Sequence, residues 1–158
     1  MGTLTKLKMP RGVLLLSAVV SIAVVACSDF DSSSPSVPPA ATHTVSVLIE
    51  EGTGDPQWFR DIAVPQGSDA YQVLEQVTAG DLEATWHVQF RSHFVESIFG
   101  VENEGGRFWR IFLWDDFDAK WTPLPFGADW FSVKDGHVMA WLYADTSQFP
   151  ADPPSQIP

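Results

Sequence analysis

The chain has 158 residues, which is room for one domain of ordinary size plus short extra segments. Its hydrophobic content of 45%, with seven Trp and eleven Phe, excludes a chain that is disordered throughout. The net charge of −11 comes from nine Lys and Arg against twenty Asp and Glu, so the surface repels phosphate backbones and we expect no nucleic-acid partner.

The N-terminal residues have the pattern of an export signal. Three basic residues lie there: Lys6, Lys8 and Arg11. They precede an apolar run of about 15 residues, 12–26, which is shorter than the roughly 20 residues of a membrane span. The run ends in Val-Val-Ala-Cys, which resembles the lipobox of bacterial lipoproteins. The resemblance implies that 1–26 are a signal peptide and that a lipid on Cys27 anchors the protein to a membrane of the cell envelope.

The alternative for Cys27 is a free or disulfide-bonded thiol. It has little support, because Cys27 is the only cysteine and a disulfide framework needs pairs. Residues 27–43 are rich in Ser and Pro, so we expect an extended tether between lipid and domain. Residues 146–158 are also Pro-rich, and we expect a disordered tail. The folded domain is predicted to cover 44–145.

The hydrophobic patterns of this domain predict an α+β fold. Apolar residues alternate along 44–49 and 58–64, which is typical of strands. A helix is predicted over 68–79 with Ser68 as its N-cap, and a third strand over 86–90. Two further strands follow. The order strand, strand, helix and three strands is that of a β-grasp, ubiquitin-like fold, a mixed sheet with one helix packed on one face.

The last two predicted strands carry large apolar groups on both faces. We predict that one set faces the helix: Trp109, Ile111, Leu113, Val138, Ala140 and Leu142. The other set faces outward: Phe112, Trp114, Met139, Trp141 and Tyr143. One helix covers one face, so the outward set needs another cover. The loop 115–131 is one candidate, through Phe117, Trp121, Phe126, Trp130 and Phe131; a ligand or a partner protein is the other.

Several motifs occur in a fixed order along the second half of the chain. They are Phe-Val-Glu-Ser-Ile-Phe-Gly-Val at 94–101, the pair Phe108 and Trp109, Gly127 before an aromatic segment, and Asp135 and Gly136 before an alternating apolar strand. Together they resemble the transcobalamin-like C-terminal domain family, over about 44–144. The resemblance implies a β-grasp fold and, in cobalamin carriers, a domain that closes over the corrin against a helical barrel. The sequence has no counterpart of that barrel, so we expect a cobalamin site here to be shallow or to need a partner chain.

The sequence favours binding over catalysis. It contains no Gly-x-Ser-x-Gly elbow, His-Glu-x-x-His helix or phosphate loop. Neither its histidines nor the acidic residues at 115–118 have the spacing of a zinc or EF-hand site, so we expect no metal. We therefore expect a non-catalytic module whose outward set takes a flat apolar ligand, such as cobalamin or another corrinoid. The alternative is a structural or protein–protein interaction domain of an envelope complex without a small-molecule ligand.

Overall fold

The computed structural model describes residues 40–52, 54–147 and 150–158, which belong to one unit, Pro38–Pro158. The predicted signal peptide 1–26, Cys27 and most of the predicted tether lie outside the described residues. Within the part that is described, no helix is both long and apolar enough to cross a membrane.

The described residues form two sheets and one α-helix. In chain order the elements are β1 (Thr42–Glu50), β2 (Gln57–Pro65), α1 (Ala70–Thr78), β3 (Leu82–His87), β4 (Ser92–Ile98), β5 (Val101–Glu102), β6 (Arg107–Asp115), β7 (Lys120–Pro123), a 3-10 turn (Ala128–Trp130) and β8 (Val138–Asp145). The larger sheet has the order β2-β1-β8-β6-β7 and the smaller one β3-β4-β5. β1 and β8 are parallel, and the other neighbours are antiparallel. The predicted α+β class is confirmed.

The start of α1 is fixed by its own sequence. Asp69, rather than the predicted Ser68, is the N-cap. Its Oδ1 accepts a hydrogen bond from Gln72 N at 2.8 Å, and Asp69 N donates to Gln72 Oε1 at 3.1 Å. This capping box satisfies two amide groups that a helix start would otherwise leave free. Ala70, Val73 and Leu74 of α1 then pack against one face of the larger sheet, together with Val45, Val47 and Ile49 of β1; this cluster is called the main core below.

The register between β6 and β8 decides which side chains share a face. Three pairs lie directly opposite each other: Trp109 with Tyr143, Ile111 with Trp141, and Leu113 with Met139. Opposite residues of an antiparallel pair lie on the same face. Met139, Trp141 and Tyr143 are therefore buried in the main core, on the side of α1. The prediction for β8 is wrong, because it places the compact side chains Val138, Ala140 and Leu142 on the helix side. Alternation shows which side chains of a strand share a face, but only the register with β6 shows which face meets α1.

The other face of the larger sheet, called the second face below, has its own core. It consists of Leu48, Phe112, Trp121, Ala140, Leu142 and Ala144, with Trp58, Trp114 and Val138 packed at its margin. Of the five aromatic residues expected to cover this face, Trp121 joins the core because it lies on β7. Phe131 packs against the core on the helix side, whereas Phe117, Phe126 and Trp130 are exposed, so the loop 115–131 covers the sheet only in part.

The C-terminal residues 150–158 cover part of the second face. Gln156 accepts two indole hydrogen bonds: Trp58 Nε1 donates to its Oε1 at 2.8 Å, and Trp121 Nε1 donates to its backbone O at 2.7 Å. The predicted disorder of the tail 146–158 is wrong for these residues. The proline-rich composition predicts disorder, but Gln156 accepts hydrogen bonds from Trp58 and Trp121, which hold this segment on the second face.

Candidate ligand-binding cleft

Large aromatic side chains stay exposed between the turn that joins β3 to β4 and the segment 126–130. They line an open groove, called the aromatic cleft below: His87, Phe90, Ser92, His93, Phe94, Phe126, Gly127 and Trp130. The cleft has two hollows, of about 230 Å³ and about 460 Å³. Phe90 is 69% exposed and Trp130 is 54% exposed. Hollows of this size accept a small flat molecule or part of a larger one.

A tight turn brings Phe90 to the cleft. Phe90 N donates to His87 O at 3.1 Å, and Arg91 has a left-handed φ of 49°. The predicted strand over 86–90 is therefore misplaced, since β3 runs from Leu82 to His87 and shares only Trp86 and His87 with it. Trp130 Nε1 donates to Phe90 O at 3.1 Å, which joins the two walls of the cleft.

Asp129 fixes the position of the cleft through three hydrogen bonds. Its carboxylate accepts from Ser92 Oγ at 2.6 Å, from His93 N at 2.8 Å and from His93 Nδ1 at 2.6 Å. Burial raises the pKa of Asp129, but the hydrogen bonds from Ser92 and His93 outweigh burial and hold the pKa below its usual range. The His93 ring stacks on Tyr71, with ring centroids 3.9 Å apart. An ionised carboxylate thus connects β4 to the 3-10 turn, and His93 connects both to α1.

Gly127 permits the close approach of the two walls. A Cβ at this position would lie 2.5 Å from Ser92 Cβ and closer still to Ser92 Oγ. Any larger residue would push the 3-10 turn away from β4. The φ of Gly127 is −64°, so the position requires space rather than a special backbone conformation. The glycine of the family-like motif therefore has a packing role at the cleft.

A smaller cavity of about 200 Å³ adjoins the aromatic cleft. The two share His93, Phe94, Phe126 and Gly127. Residues 109–111 of β6 bound the smaller cavity on its other side, and Arg110 is the cationic residue of that lining. The aromatic cleft therefore extends to the edge of β6.

The five predicted ligand-binding residues do not converge on one surface. Phe112 and Met139 are buried in different cores, on opposite faces of the larger sheet. Trp141 reaches the smaller cavity but is only 4% exposed, and the Tyr143 hydroxyl donates to a backbone carbonyl at 2.8 Å. Trp114 lines a separate hollow, together with Phe117 and Pro123. Buried side chains divided between two cores cannot form an open binding face.

Phe90 and His93 are not among the residues that the sequence predicts for ligand binding, and Phe126 and Trp130 are predicted there only as a possible cover for the sheet. A signal for the latter two was present. Pro123, Pro125 and Gly127 occupy every second position of this segment, which is typical of a surface loop that presents its side chains. No sequence pattern indicated His93, because its hydrogen bond to Asp129 joins residues 36 positions apart.

Solved structures are similar to this chain at low sequence identity. A crystal structure of haptocorrin in complex with Cbi matches 64% of this chain with 14% identity and a TM-score of 0.52, and the match spans 25% of the haptocorrin chain. A Ruminococcus gnavus ATCC 29149 protein with a proposed metal-binding role matches 63% of this chain and 94% of its own, with 14% identity and a TM-score of 0.49. No family model and no curated protein matches the sequence. The likeness to haptocorrin concerns the fold, and it agrees with the transcobalamin-like fold that the sequence motifs implied.

Proposed function

We propose that this protein is a non-catalytic binding module that takes a flat, largely apolar ligand in the aromatic cleft. The observation that carries this proposal is the exposure of Phe90, Phe126 and Trp130 around one groove. Comparable aromatic residues on the second face are covered by the protein's own C-terminal residues. Exposed contiguous apolar surface marks interaction sites, and aromatic rings stack favourably on flat ligands.

A corrinoid such as cobalamin is the ligand class we propose first. β1 and β8 are parallel neighbours in the middle of the larger sheet, with α1 on one face, which supports a β-grasp fold of the transcobalamin-like C-terminal type. The haptocorrin structure with the similar fold was solved with Cbi. The cleft is open, so it would contact a corrin from one side. We expect weak binding unless a second chain covers the ligand.

The polar groups beside the cleft support binding rather than catalysis. Ser92 Oγ and His93 Nδ1 both donate to Asp129, so the histidine is not placed to take a proton from the serine. Within the described residues, no group of three His, Cys, Asp or Glu side chains lies close enough to hold a metal ion. We propose that these side chains hold the walls of the cleft in place.

Equilibrium dialysis against cobinamide and cobalamin, detected by their visible absorbance, tests the ligand proposal. We expect Trp130→Ala to weaken binding about tenfold, because the ring supplies a stacking face. Trp114→Ala is the matched control on the second face and should leave binding unchanged. Retention of neither corrinoid by the wild-type chain would refute the corrinoid proposal. Weakening by Trp114→Ala alone would place the site on the second face.

We also propose that a lipid on Cys27 holds the module at a membrane of the cell envelope. The support is the order of basic residues, apolar run and lipobox-like sequence ahead of Cys27. Cells grown with a labelled fatty acid should incorporate label into the wild-type protein and not into Cys27→Ser. Equal labelling of both proteins, or of neither, would refute the anchor.

A second candidate function is a protein-interaction domain of an envelope complex. It is favoured by Trp86 and Val88, which are exposed on β3 and its turn, outside the lining of the aromatic cleft. This surface would suit a partner protein that extends beyond the cleft. Val88→Asp should then abolish complex formation and leave corrinoid retention unchanged.

A further inference from the structure

The second face of the larger sheet has the form of a groove. Trp58 lies on β2 and Trp121 on β7, the two edge strands, whereas the central strand β8 contributes the small side chains Ala140 and Ala144. Bulky indoles at the edges and methyl groups in the middle leave a concave surface. Residues 150–158, called the C-terminal segment below, lie in this groove.

The contacts of the C-terminal segment are those by which aromatic grooves bind extended proline-rich peptides. Trp121 Nε1 donates to the backbone O of Gln156 at 2.7 Å, and Trp58 Nε1 donates to its side chain at 2.8 Å. Pro154 is buried, and the segment belongs to no helix or strand. Proline-rich peptides are extended before they bind and carry unpaired backbone carbonyls, so they suit a groove that offers aromatic rings and donors. The segment is therefore bound as a ligand of this class would be.

The C-terminal segment is held by a small part of its surface. Seven of its nine residues are exposed, so little apolar area opposes its release. Asp152 lies beside Glu50 and Asp145 in a hollow of about 220 Å³, where Arg107 is the cationic residue of the lining. A third carboxylate in this hollow is unfavourable, because like charges repel at short range. A segment without that charge would fit the groove better.

We infer that the second face is a recognition groove for a proline-rich segment of another protein, which displaces the chain's own C-terminal segment. The favoured ligand is extended, has a Gln two residues after a Pro pair, and carries a basic residue in the place of Asp152. This surface is separate from the aromatic cleft, so the inference does not depend on the corrinoid proposal.

The length of the connection to β8 argues against a second copy as the donor of that segment. Five residue steps separate Asp145 from Pro150, which span at most about 18 Å. An exchange of C-terminal segments would therefore bring two chains of net charge −11 close together. A proline-rich segment of a less acidic protein meets no such repulsion.

Fluorescence anisotropy of the full chain, dispersed in detergent, with a labelled synthetic peptide tests this inference. The peptide has the sequence of residues 150–158 with Asp152→Lys. The wild-type chain should bind it weakly, because its own segment competes at a high effective concentration. Gln156→Ala in the protein removes the acceptor of the Trp58 indole, so this variant should bind the peptide about fivefold more tightly. The peptide with the native Asp152 should bind the variant about threefold more weakly.

Two further variants locate the bound peptide. Added to Gln156→Ala, Trp58→Phe keeps an aromatic ring but removes the indole donor, and it should weaken peptide binding about fivefold. Trp86→Phe removes an exposed indole from β3 and is the matched control, which should leave peptide binding unchanged. A loss of affinity in both variants, or in neither, overturns the inference.

The wild-type chain provides the test if Gln156→Ala does not fold. At millimolar peptide, the indole N–H signals of Trp58 and Trp121 should shift in NMR spectra, and that of Trp130 should not. Unchanged signals of Trp58 and Trp121 overturn the inference and make the C-terminal segment a fixed part of the fold. A wild-type dimer that the peptide dissociates would make a second copy the occupant, which overturns the assignment to another protein.

Discussion

The second face of the larger sheet and the aromatic cleft are both built around tryptophan, but the first is partly covered by the C-terminal residues and the second is open. On the second face, Trp58 and Trp121 donate their indole N–H groups to Gln156 of the C-terminal segment. In the cleft, Trp130 donates to Phe90 O of the opposite wall. The polar edge of Trp130 is therefore satisfied while its ring remains exposed. The comparison indicates that hydrogen bonds fix the walls of the cleft while more than half of the Trp130 side chain stays exposed.

This difference separates structural aromatic residues from candidate binding residues. A tryptophan in a core contributes to stability through the apolar area that it buries, whereas an exposed one contributes little. Substitutions in the two regions should therefore have opposite profiles. Those in the covered regions should reduce stability, and those in the cleft should reduce ligand binding.

Trp141→Ala should have the largest effect on stability. Trp141 is buried in the main core, so its removal leaves a large cavity and should cost about 4 kcal/mol of the free energy of unfolding. Urea denaturation followed by circular dichroism measures this cost. A cost below about 1 kcal/mol would mean that Trp141 lies on an open face, as the alternation within β8 alone predicts.

Deletion of residues 150–158 should have the next largest effect. The deletion removes the two hydrogen bonds to Gln156 and a third from Ser155 N to Glu50 Oε2, at 2.9 Å. At about 1 kcal/mol each, the loss should be about 3 kcal/mol. Thermal unfolding gives the stability, and acrylamide quenching should show newly accessible tryptophan. An unchanged melting temperature would contradict the role of this segment as a cover.

Asp129→Asn should cost about 2 kcal/mol at neutral pH, because charge-assisted hydrogen bonds to Ser92 and His93 are weakened. The folded pKa of Asp129 lies below its unfolded value of about 4. Its contribution is therefore complete above the unfolded pKa and is lost as pH falls through the folded pKa. The difference in stability between wild type and variant should shrink on acidification over that window. A difference that stays constant there would assign the effect to packing.

Trp130→Ala should have the smallest effect on stability, about 1 kcal/mol or less. The ring is 54% exposed, and the variant loses one neutral hydrogen bond, to Phe90 O. Denaturation midpoints of the wild type and the variant check this value. A loss comparable to that of Trp141→Ala would show that Trp130 belongs to a core, which would remove the basis for an open cleft.

The sequence was sufficient for the α+β class and for four of the eight strands, β1, β2, β6 and β8, because these depend on local periodicity. It placed α1 to within two residues, since the apolar stripe at helical spacing marks the helix, although Asp69 and not Ser68 is the N-cap. It failed for the faces of β8. Those depend on the register with β6, which is a long-range property that alternation within one strand cannot supply.

The candidate site was less predictable than the fold. The cleft is assembled from side chains on β4 and on the 3-10 turn, and Asp129 joins them across 36 residues. The sequence shows that Phe126 and Trp130 are in a loop, but not which surface they meet. The order of the C-terminal residues could not be predicted for the same reason, because their partners Trp58 and Trp121 lie far from them in the chain.

Backbone amide chemical-shift mapping by NMR, with cobinamide added to the isotope-labelled protein, tests the central claim most directly. If the aromatic cleft is the binding site, the shifted amides should lie in 87–94 and 124–131, and those of the second face should not move. Shifts concentrated around Trp58, Phe112 and Trp121 instead, or no shifts at saturating cobinamide, would contradict the claim that the open aromatic region takes a flat corrinoid ligand.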